Sequence, residues 1–194
     1  DDWLTTLNLP TSLVFLTCVP PHNSVEKKLL FRQHWQLVCH KNDLPDIGDF
    51  MTLDIVGERA LIIRETADRV RAFHNLCRHR GSRLVVGERG NCKNVITCPF
   101  HAWVYNLDGT LRGPSRSETF PLIDRNEWGL KPIELDKFMG FYFVRFQPSN
   151  HPKASDILQR HKDKFELYHT DNIISASKIS LSLIFSSKRR RLFS

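Results

Sequence analysis

Four residues of metal-binding types lie in two short motifs near the middle of the chain. Cys77 and His79 are separated by one residue and Cys98 and His101 by two, and residues 80–97 lie between the motifs. Each motif is short enough to sit on one tight loop, and Gly81 is a turn residue that follows the first. The spacing therefore predicts two loops that each present one thiol and one imidazole.

This ligand set suits a [2Fe–2S] cluster of the Rieske kind, in which two Cys hold one iron and two His hold the other. Neutral imidazoles make such a cluster less negative than four thiolates do, which raises its potential into the range of roughly −150 to +300 mV. Because the imidazoles can lose protons on oxidation, the potential is expected to fall as pH rises. The motifs thus predict electron transfer.

A structural Zn²⁺ site is the alternative reading of the same four residues. A zinc finger usually carries two Cys in one motif and two His in the other, whereas each motif here carries one Cys and one His. The ligand order therefore favours the iron–sulfur cluster over zinc.

The sequence around the motifs resembles the Rieske domain of aromatic-ring-hydroxylating oxygenases, in the large or α subunit. The resemblance lies in residues 72–84 and 98–109, extends upstream through 31–50 and downstream through 120–144, and covers roughly residues 22–170. It implies a mostly β fold of antiparallel sheets, flanked by short helices, in which two hairpin tips grip the cluster. It also implies Cys77, His79, Cys98 and His101 as the ligands.

Three residues are expected around the cluster from this resemblance, namely Arg80, Gly81 and Trp103. High-potential Rieske proteins carry one Cys of an extra disulfide at the position of Gly81, and a Ser that donates to a sulfide at the position of Trp103. Fewer donors lower the potential, so we expect the low end of the range. Trp103 would shield the cluster or serve as an ordinary core aromatic. Arg80, with Arg78 and Arg83 on either side, could pair with an acidic partner protein or with carboxylates beneath the cluster, or belong to a solvated basic rim.

Ala102 stands where many members of this family have Gly. A left-handed backbone would cost a non-Gly residue on the order of 1 kcal/mol. The sequence therefore predicts a negative φ at Ala102. His74, just before the first loop, is expected to pack beneath it.

Composition limits the other classes of function. A chain of 194 residues suits one domain, and four of its net +7 charges lie in residues 188–191 without base-stacking aromatics, so no nucleic acid is expected as a partner. The apolar run at 13–19 is too short to span a bilayer, and no signal peptide is recognisable. Cys18, Cys39 and Cys92 remain beside the two ligand Cys, and this odd number favours a reducing, cytoplasmic location.

Alternating apolar residues and turn signals predict many short strands in antiparallel sheets. The predicted strands are 36–39, 51–56, 60–65, 69–75, 95–97, 102–106, 110–112, 131–135 and 141–146. Helices are predicted over about 25–34 and from 155 or 156 to 169. The expected organisation is an irregular lead-in (1–21), the Rieske domain (22–150), a helical connector (151–174) and a Ser-rich basic tail (175–194).

The resemblance implies a second, catalytic domain after the connector, which holds a mononuclear iron on two His and one carboxylate. The tail does not resemble the opening of that domain, which suggests a premature end, a gene-model artefact or a frameshift. The start without Met suggests a trimmed or partial chain. The polar residues His161, Asp163, Glu166 and His169 are a poor substitute for the iron site, since their spacing suits a solvated helix face better.

Two functions follow from these expectations. The first is the electron-transfer part of a Rieske oxygenase α subunit, which takes electrons from a reductase or ferredoxin and works as a homotrimer or other homo-oligomer. Its full-length form would hydroxylate or demethylate a small organic molecule, and would use the mononuclear iron. The second is a stand-alone Rieske electron carrier. Small Rieske ferredoxins are shorter, so the segments on both sides of the motifs favour the oxygenase subunit.

Overall fold

The computed structural model describes residues 27–114, 123–125, 127–170 and 173. Ten short strands run through this part of the chain, in keeping with the mostly β fold that the sequence predicted. They are β1 (Gln36–His40), β2 (Asp49–Ile55), β3 (Glu58–Arg64), β4 (Val70–His74), β5 (Arg89–Asn91), β6 (Val95–Thr97), β7 (Val104–Asn106), β8 (Leu111–Gly113), β9 (Glu134–Phe138) and β10 (Phe141–Arg145).

The strands form three antiparallel sheets, with the orders β1-β10-β9, β4-β3-β2-β5 and β6-β7-β8. Strand β3 lies inside the four-stranded sheet, and its residues 60–63 are fully buried. Successive side chains of a strand point to opposite faces. Leu61 and Ile63 therefore pack into one core cluster while Ala60 and Ile62 pack into a second.

The first core cluster supports the two predicted ligand loops. It joins Leu61, Ile63 and Phe73 of the four-stranded sheet to Trp103 and Tyr105, and both ligand cysteines belong to it. The loops between β4 and β5 and between β6 and β7 therefore end on one packed base. Burial of these large side chains, at about 25 cal/mol per Å² of apolar area, fixes the position of both loops.

Nine strands were predicted, and β5 was missed. Its three residues are all exposed and carry no apolar alternation, so the pattern that reveals a strand is absent. The structure needs Gly90 there, because a Cβ at this position would lie 2.9 Å from the ring of Phe50. Strand β9 lies three residues further along the chain than predicted.

The prediction of one long helix from about 155 to 169 was wrong. The structure has two short helices, α1 (Ala154–Gln159) and α2 (Lys162–Glu166), which are separated near His161. The His161 amide donates to the Leu158 carbonyl at 2.8 Å, which tightens the last turn and ends α1. The first predicted helix is seen as a π-helical segment, Lys27–Arg32.

The two ends of the chain lie outside the described residues. The predicted lead-in, the predicted tail and Cys18 all lie in these two ends, so the domain boundaries stay predictions. None of the helices in the described part is long and apolar enough to cross a membrane.

Candidate metal centre

The two ligand loops are built as matching turns. In the first, the Cys77 amide donates to the Ser82 carbonyl at 2.7 Å and the Gly81 amide donates to the Cys77 carbonyl at 2.9 Å. In the second, the corresponding bonds run from Cys98 to the carbonyl of Trp103 at 2.8 Å and from Ala102 to the carbonyl of Cys98 at 2.9 Å. In each turn the Cys carbonyl accepts a hydrogen bond from the amide four residues later, and the Cys amide donates to the carbonyl five residues later.

The fifth residue of each turn has a left-handed backbone, which corrects the prediction for Ala102. Its φ is +51°, not negative, and Gly81 at the same place in the first turn has a φ of +68°. Reversal of the chain within six residues, with both hydrogen bonds intact, requires this conformation. The tertiary constraint overrides the local preference of Ala102, at a cost of about 1 kcal/mol.

The loops bring the four predicted ligands together as two pairs of like kind. The thiols of Cys77 and Cys98 are 4% and 2% exposed and lie within hydrogen-bonding reach of each other. The rings of His79 and His101 have centroids 4.7 Å apart and are partly exposed. A buried thiol pair beside a more exposed imidazole pair fits a two-iron cluster whose Cys-held iron lies inside and whose His-held iron lies near the surface.

Electrostatics in the loops suit these ligand roles. Burial and the charges of His101 and Arg80 lower the pKa of His79, which favours the neutral imidazole that binds a metal. Burial and the neighbouring Cys98 raise the pKa of Cys77, while hydrogen bonds from Tyr105 and the His79 backbone lower it. Two thiolates this close need a cation between them, and a cluster iron supplies that charge.

Tyr105 on β7 is a site residue that the sequence analysis missed. It is fully buried, and its hydroxyl lies 3.3 Å from the Cys77 sulfur. The Arg78 amide donates to the same hydroxyl at 3.1 Å, which leaves the hydroxyl proton available for a Cys77 thiolate. The alternation of Trp103 and Tyr105 two residues apart could have placed Tyr105 on the cluster side.

Asn75 is a second missed residue, and it braces the first loop from behind. Its side chain is fully buried, accepts from the amides of Leu84 and Val85 at 3.1 Å each, and donates to the Val85 carbonyl at 2.9 Å. These bonds join the start of the loop to the segment that follows it. The sequence shows only an Asn next to a predicted loop, and this is a weak signal because Asn is common in loops for other reasons.

Three residues were predicted around the cluster. Trp103 is 1% exposed and stacks on His79 with centroids 5.1 Å apart and planes 6° apart, so it covers one face of this ligand. Gly81 provides the turn described above. Arg80 is exposed beside His79. Of the two flanking arginines, Arg78 lies over the ring of Trp128, and Arg83 pairs with Asp54 at 2.5 Å.

The polar residues of the connector form no metal site. His161, Asp163, Glu166 and His169 are all exposed, and Glu166 pairs with Lys162 at 3.3 Å. Within the described residues, no three His, Cys, Asp or Glu side chains converge on one point as a single ion would require. His74 lines a cavity of about 470 Å³ together with Cys77, and its packing beneath the first loop stays a prediction.

Comparison with known proteins agrees with this geometry. The family described as "Rieske [2Fe-2S] domain" matches residues 34–123. Residues 34–123 therefore carry a Rieske [2Fe–2S] domain, and the similar proteins are oxygenase subunits. Its relatives include the carnitine monooxygenase oxygenase subunit of Escherichia coli K12, 39% identical over 124 residues, which are 64% of this chain and 33% of the relative.

A second relative is the glycine betaine monooxygenase oxygenase subunit of Pseudomonas aeruginosa UCBPP-PA14, 36% identical over 150 residues. The alignment covers 76% of this chain and 34% of that protein. The Rieske-domain chain thus spans about one third of the length of these relatives. The match leaves about two thirds of each relative uncovered.

Solved structures share the fold. The quaternary ammonium Rieske monooxygenase CntA in complex with an inhibitor superimposes with a TM-score of 0.70 at 32% identity, over 79% of this chain and 42% of that one. A naphthalene 1,2-dioxygenase mutant bound to phenanthrene also gives a TM-score of 0.70, at 26% identity, over 78% and 34% of the two chains. Both monooxygenases and dioxygenases are therefore among the similar proteins.

Proposed function

We propose that this chain is the electron-transfer part of a Rieske non-haem iron oxygenase α subunit. Cys77 and Cys98 would hold one iron of the [2Fe–2S] cluster, and His79 and His101 would hold the other. The observation that carries this proposal is the pairing of like ligands, with the thiols buried together and the imidazoles together nearer the surface. When bound, the cluster supplies one-electron chemistry.

The residues of this chain prepare the site for that role. Tyr105 and the backbone amides orient the thiols, Trp103 fixes the ring of His79, and the first core cluster keeps water from the inner pair. The partly exposed imidazoles lie where an electron can leave. We propose that electrons arrive from a reductase or ferredoxin and pass on to a mononuclear iron in a catalytic domain outside this sequence.

The segments on both sides of the loops favour an oxygenase subunit over a small stand-alone carrier. Trp35 donates through its indole nitrogen to the Pro152 carbonyl at 2.9 Å, and Arg145 lies over the Trp35 ring at 4.4 Å. The Ser155 amide donates to Asp136 at 2.8 Å. These contacts make the flanking segments part of the packed domain, as expected of a larger subunit.

The proposal extends to the whole protein. In full-length form it would act as a homotrimer or other homo-oligomer that hydroxylates or demethylates a small organic molecule. Carnitine and glycine betaine, which appear in the names of the two relatives above, are the substrates to test first. A cytoplasmic location is proposed from the odd number of cysteines besides the ligands.

The experiment is spectroscopy of protein purified without oxygen, with iron, sulfide and zinc measured on the same sample. Two irons and two sulfides per chain, a broad visible absorption and the reduced-state paramagnetic signal of mixed Cys and His ligation would support the proposal. Cys77→Ser should abolish the signal, whereas Cys92→Ser, a matched change at a thiol outside the ligand set, should preserve it. A colourless protein that holds zinc, which is d¹⁰ and silent, would overturn it.

A further inference from the structure

We propose that Trp103 and Trp128 form the path by which electrons reach the cluster, and that Trp128 is its surface end. The inference rests on the proposed function, because it assigns a direction to the electron transfer that the domain performs. It concerns Trp128 above all, a residue outside the ligand loops that the sequence did not connect with the cluster.

A continuous series of aromatic rings joins the cluster ligand His79 to Trp128. Trp103 stacks on His79 with centroids 5.1 Å apart and almost parallel planes. The ring of Trp128 then meets Trp103 edge to face, with centroids 5.6 Å apart and planes at 61°. Both separations are those of aromatic rings in contact, so no gap interrupts the π-electron systems between ligand and surface.

The two tryptophans differ in burial in the way that such a path requires. Trp103 is 1% exposed, whereas Trp128 is partly exposed and lies at the edge of the first core cluster. The guanidinium carbon of Arg78 lies 5.8 Å from the centre of the Trp128 ring, which holds the ring in place without closing it from solvent. Trp128 therefore presents to an electron-donating partner an aromatic ring that is also in contact with the buried Trp103.

A relay between two partners works best when each has its own face. The partly exposed His101 ring adjoins Phe100, which is 63% exposed, at 3.9 Å between centroids. This tip gives the cluster one approach, and the route through Trp103 gives it another. We assign the tip to the electron's exit and Trp128 to its entry, so that donor and acceptor need not compete for one surface.

The redox balance of the step is simple. One electron leaves a reduced carrier, a flavin or a second iron–sulfur cluster, and one electron is taken up at the Cys and His ligated centre. No bond forms or breaks, and neither tryptophan changes its oxidation state. The rings only shorten the distance that the electron must cross outside a π-system.

The test places a photoreductant beside Trp128 in the intact chain. Glu127→Cys, in a background with Cys18→Ser and Cys92→Ser, is labelled with a ruthenium polypyridyl complex and flashed with ascorbate as the sacrificial donor. The rate of cluster reduction is followed by absorbance. Trp128→Leu should slow this rate several-fold, and Trp128→Phe, which keeps an aromatic ring, should slow it less.

The control uses the same label at Asn94→Cys, on an exposed turn that takes no part in the ring contacts described above. From there, Trp128→Leu should leave the rate of reduction unchanged, and the paramagnetic spectrum and the reduction potential should also be unchanged. An equal loss of rate from both labels would mean that Trp128 only shapes the cluster, and no loss from the Glu127 label would mean that the path is not used. Either result overturns the inference while the Rieske signal upholds the proposed function. Loss of that signal in the parent chain would overturn both.

Discussion

At the scale of single residues, a few side chains control the chemistry of the cluster loops. Tyr105 lies 3.3 Å from the sulfur of Cys77, and once this sulfur is a thiolate ligand only the hydroxyl can donate in that hydrogen bond. Donors to sulfur stabilise the reduced, more negative state, so they raise the potential. The low potential predicted from the lack of a Ser at position 103 is therefore offset in part by Tyr105, and its value stays a prediction.

Tyr105→Phe should lower the reduction potential by on the order of 50 mV, since it removes one hydrogen bond to a charged sulfur. A redox titration monitored by the paramagnetic signal measures this. Tyr142→Phe, a change at a buried Tyr in the second core cluster, is the control and should have no effect on the potential. An unchanged potential in Tyr105→Phe would show that the hydroxyl does not donate to Cys77.

The left-handed positions of the two turns give a matched pair of substitutions. Gly81→Ala should destabilise the protein by about 1 kcal/mol, and Ala102→Gly should stabilise it by about half as much, because Gly also gains entropy in the unfolded chain. A Cβ at Gly81 would meet nothing within 4 Å, so the cost there is one of backbone conformation alone. Urea unfolding measures both, and the same sign for the two changes would contradict the assignment.

Cys39 predicts the behaviour of the fold in alkali. Burial and the charge of Asp43 raise its pKa from 9.0 to about 12. The unfolded thiol ionises near 9, so the stability that Cys39 contributes is complete below this pH and is lost as pH rises toward 12. Unfolding midpoints at about pH 8 and pH 10 should differ more in the parent chain than in Cys39→Ala. If the midpoint changes equally with pH in the parent chain and in Cys39→Ala, a group other than Cys39 causes the loss of stability in alkali.

At the scale of elements, the strands form a base and the loops carry the chemistry. Strand β3 sends alternate side chains into two cores, so it links the loop-bearing half of the domain to the half built on β1 and β10. Asn75 adds a polar brace at the end of β4, where the chain leaves the sheet for the first ligand loop. The loop is thus held by hydrogen bonds where apolar packing ends.

Asn75→Ala should cost roughly 2–4 kcal/mol, because two amides and one carbonyl in a buried place lose their partner and a small cavity remains. The first loop should then bind the cluster less firmly, so bleaching of the visible absorption on heating should begin at a lower temperature. Asn94→Ala, on an exposed turn, is the matched control. Equal heat resistance of the two variants would show that the brace is not needed.

At the scale of the whole molecule, the described residues account for a Rieske domain and its packed flanks. The Asn42 side chain donates to the Ile173 carbonyl at 2.9 Å, so contacts with the domain continue that far along the chain. The predicted tail begins two residues later. The boundary predicted at 174 is therefore a sensible place to shorten the chain.

A chain ending at residue 174 should keep the same paramagnetic spectrum and unfolding midpoint as the full sequence, because every contact described for the cluster loops lies before that point. A chain ending at 150, which lacks the Pro152 and Ser155 contacts, should unfold more easily. Spectra and urea midpoints of the three lengths decide this. Loss of the cluster signal in the chain ending at residue 174 would show that the last 20 residues belong to the domain.

The sequence by itself was enough to predict the four ligands, the cluster type and most of the strands, because these depend on local spacing and on the alternation of side chains. Through the resemblance it also predicted Trp103 and Gly81 beside the cluster. The tertiary structure alone decided the left-handed backbone of Ala102, the break between α1 and α2, and the strand at Gly90. The strand at Gly90 depends on its pairing with β2 across the sheet, and the other two depend on hydrogen bonds that residue types alone do not reveal.

The same reason explains the partners of the cluster that the sequence did not predict. Tyr105 is 28 residues from Cys77 in the chain but 3.3 Å away in space. Trp128 reaches Trp103 from a segment that no spacing rule connects with the loops. The ligands of each motif are close together in the sequence. The groups proposed to tune the cluster and to lead electrons to it are far apart in the sequence and come together only when the sheets pack.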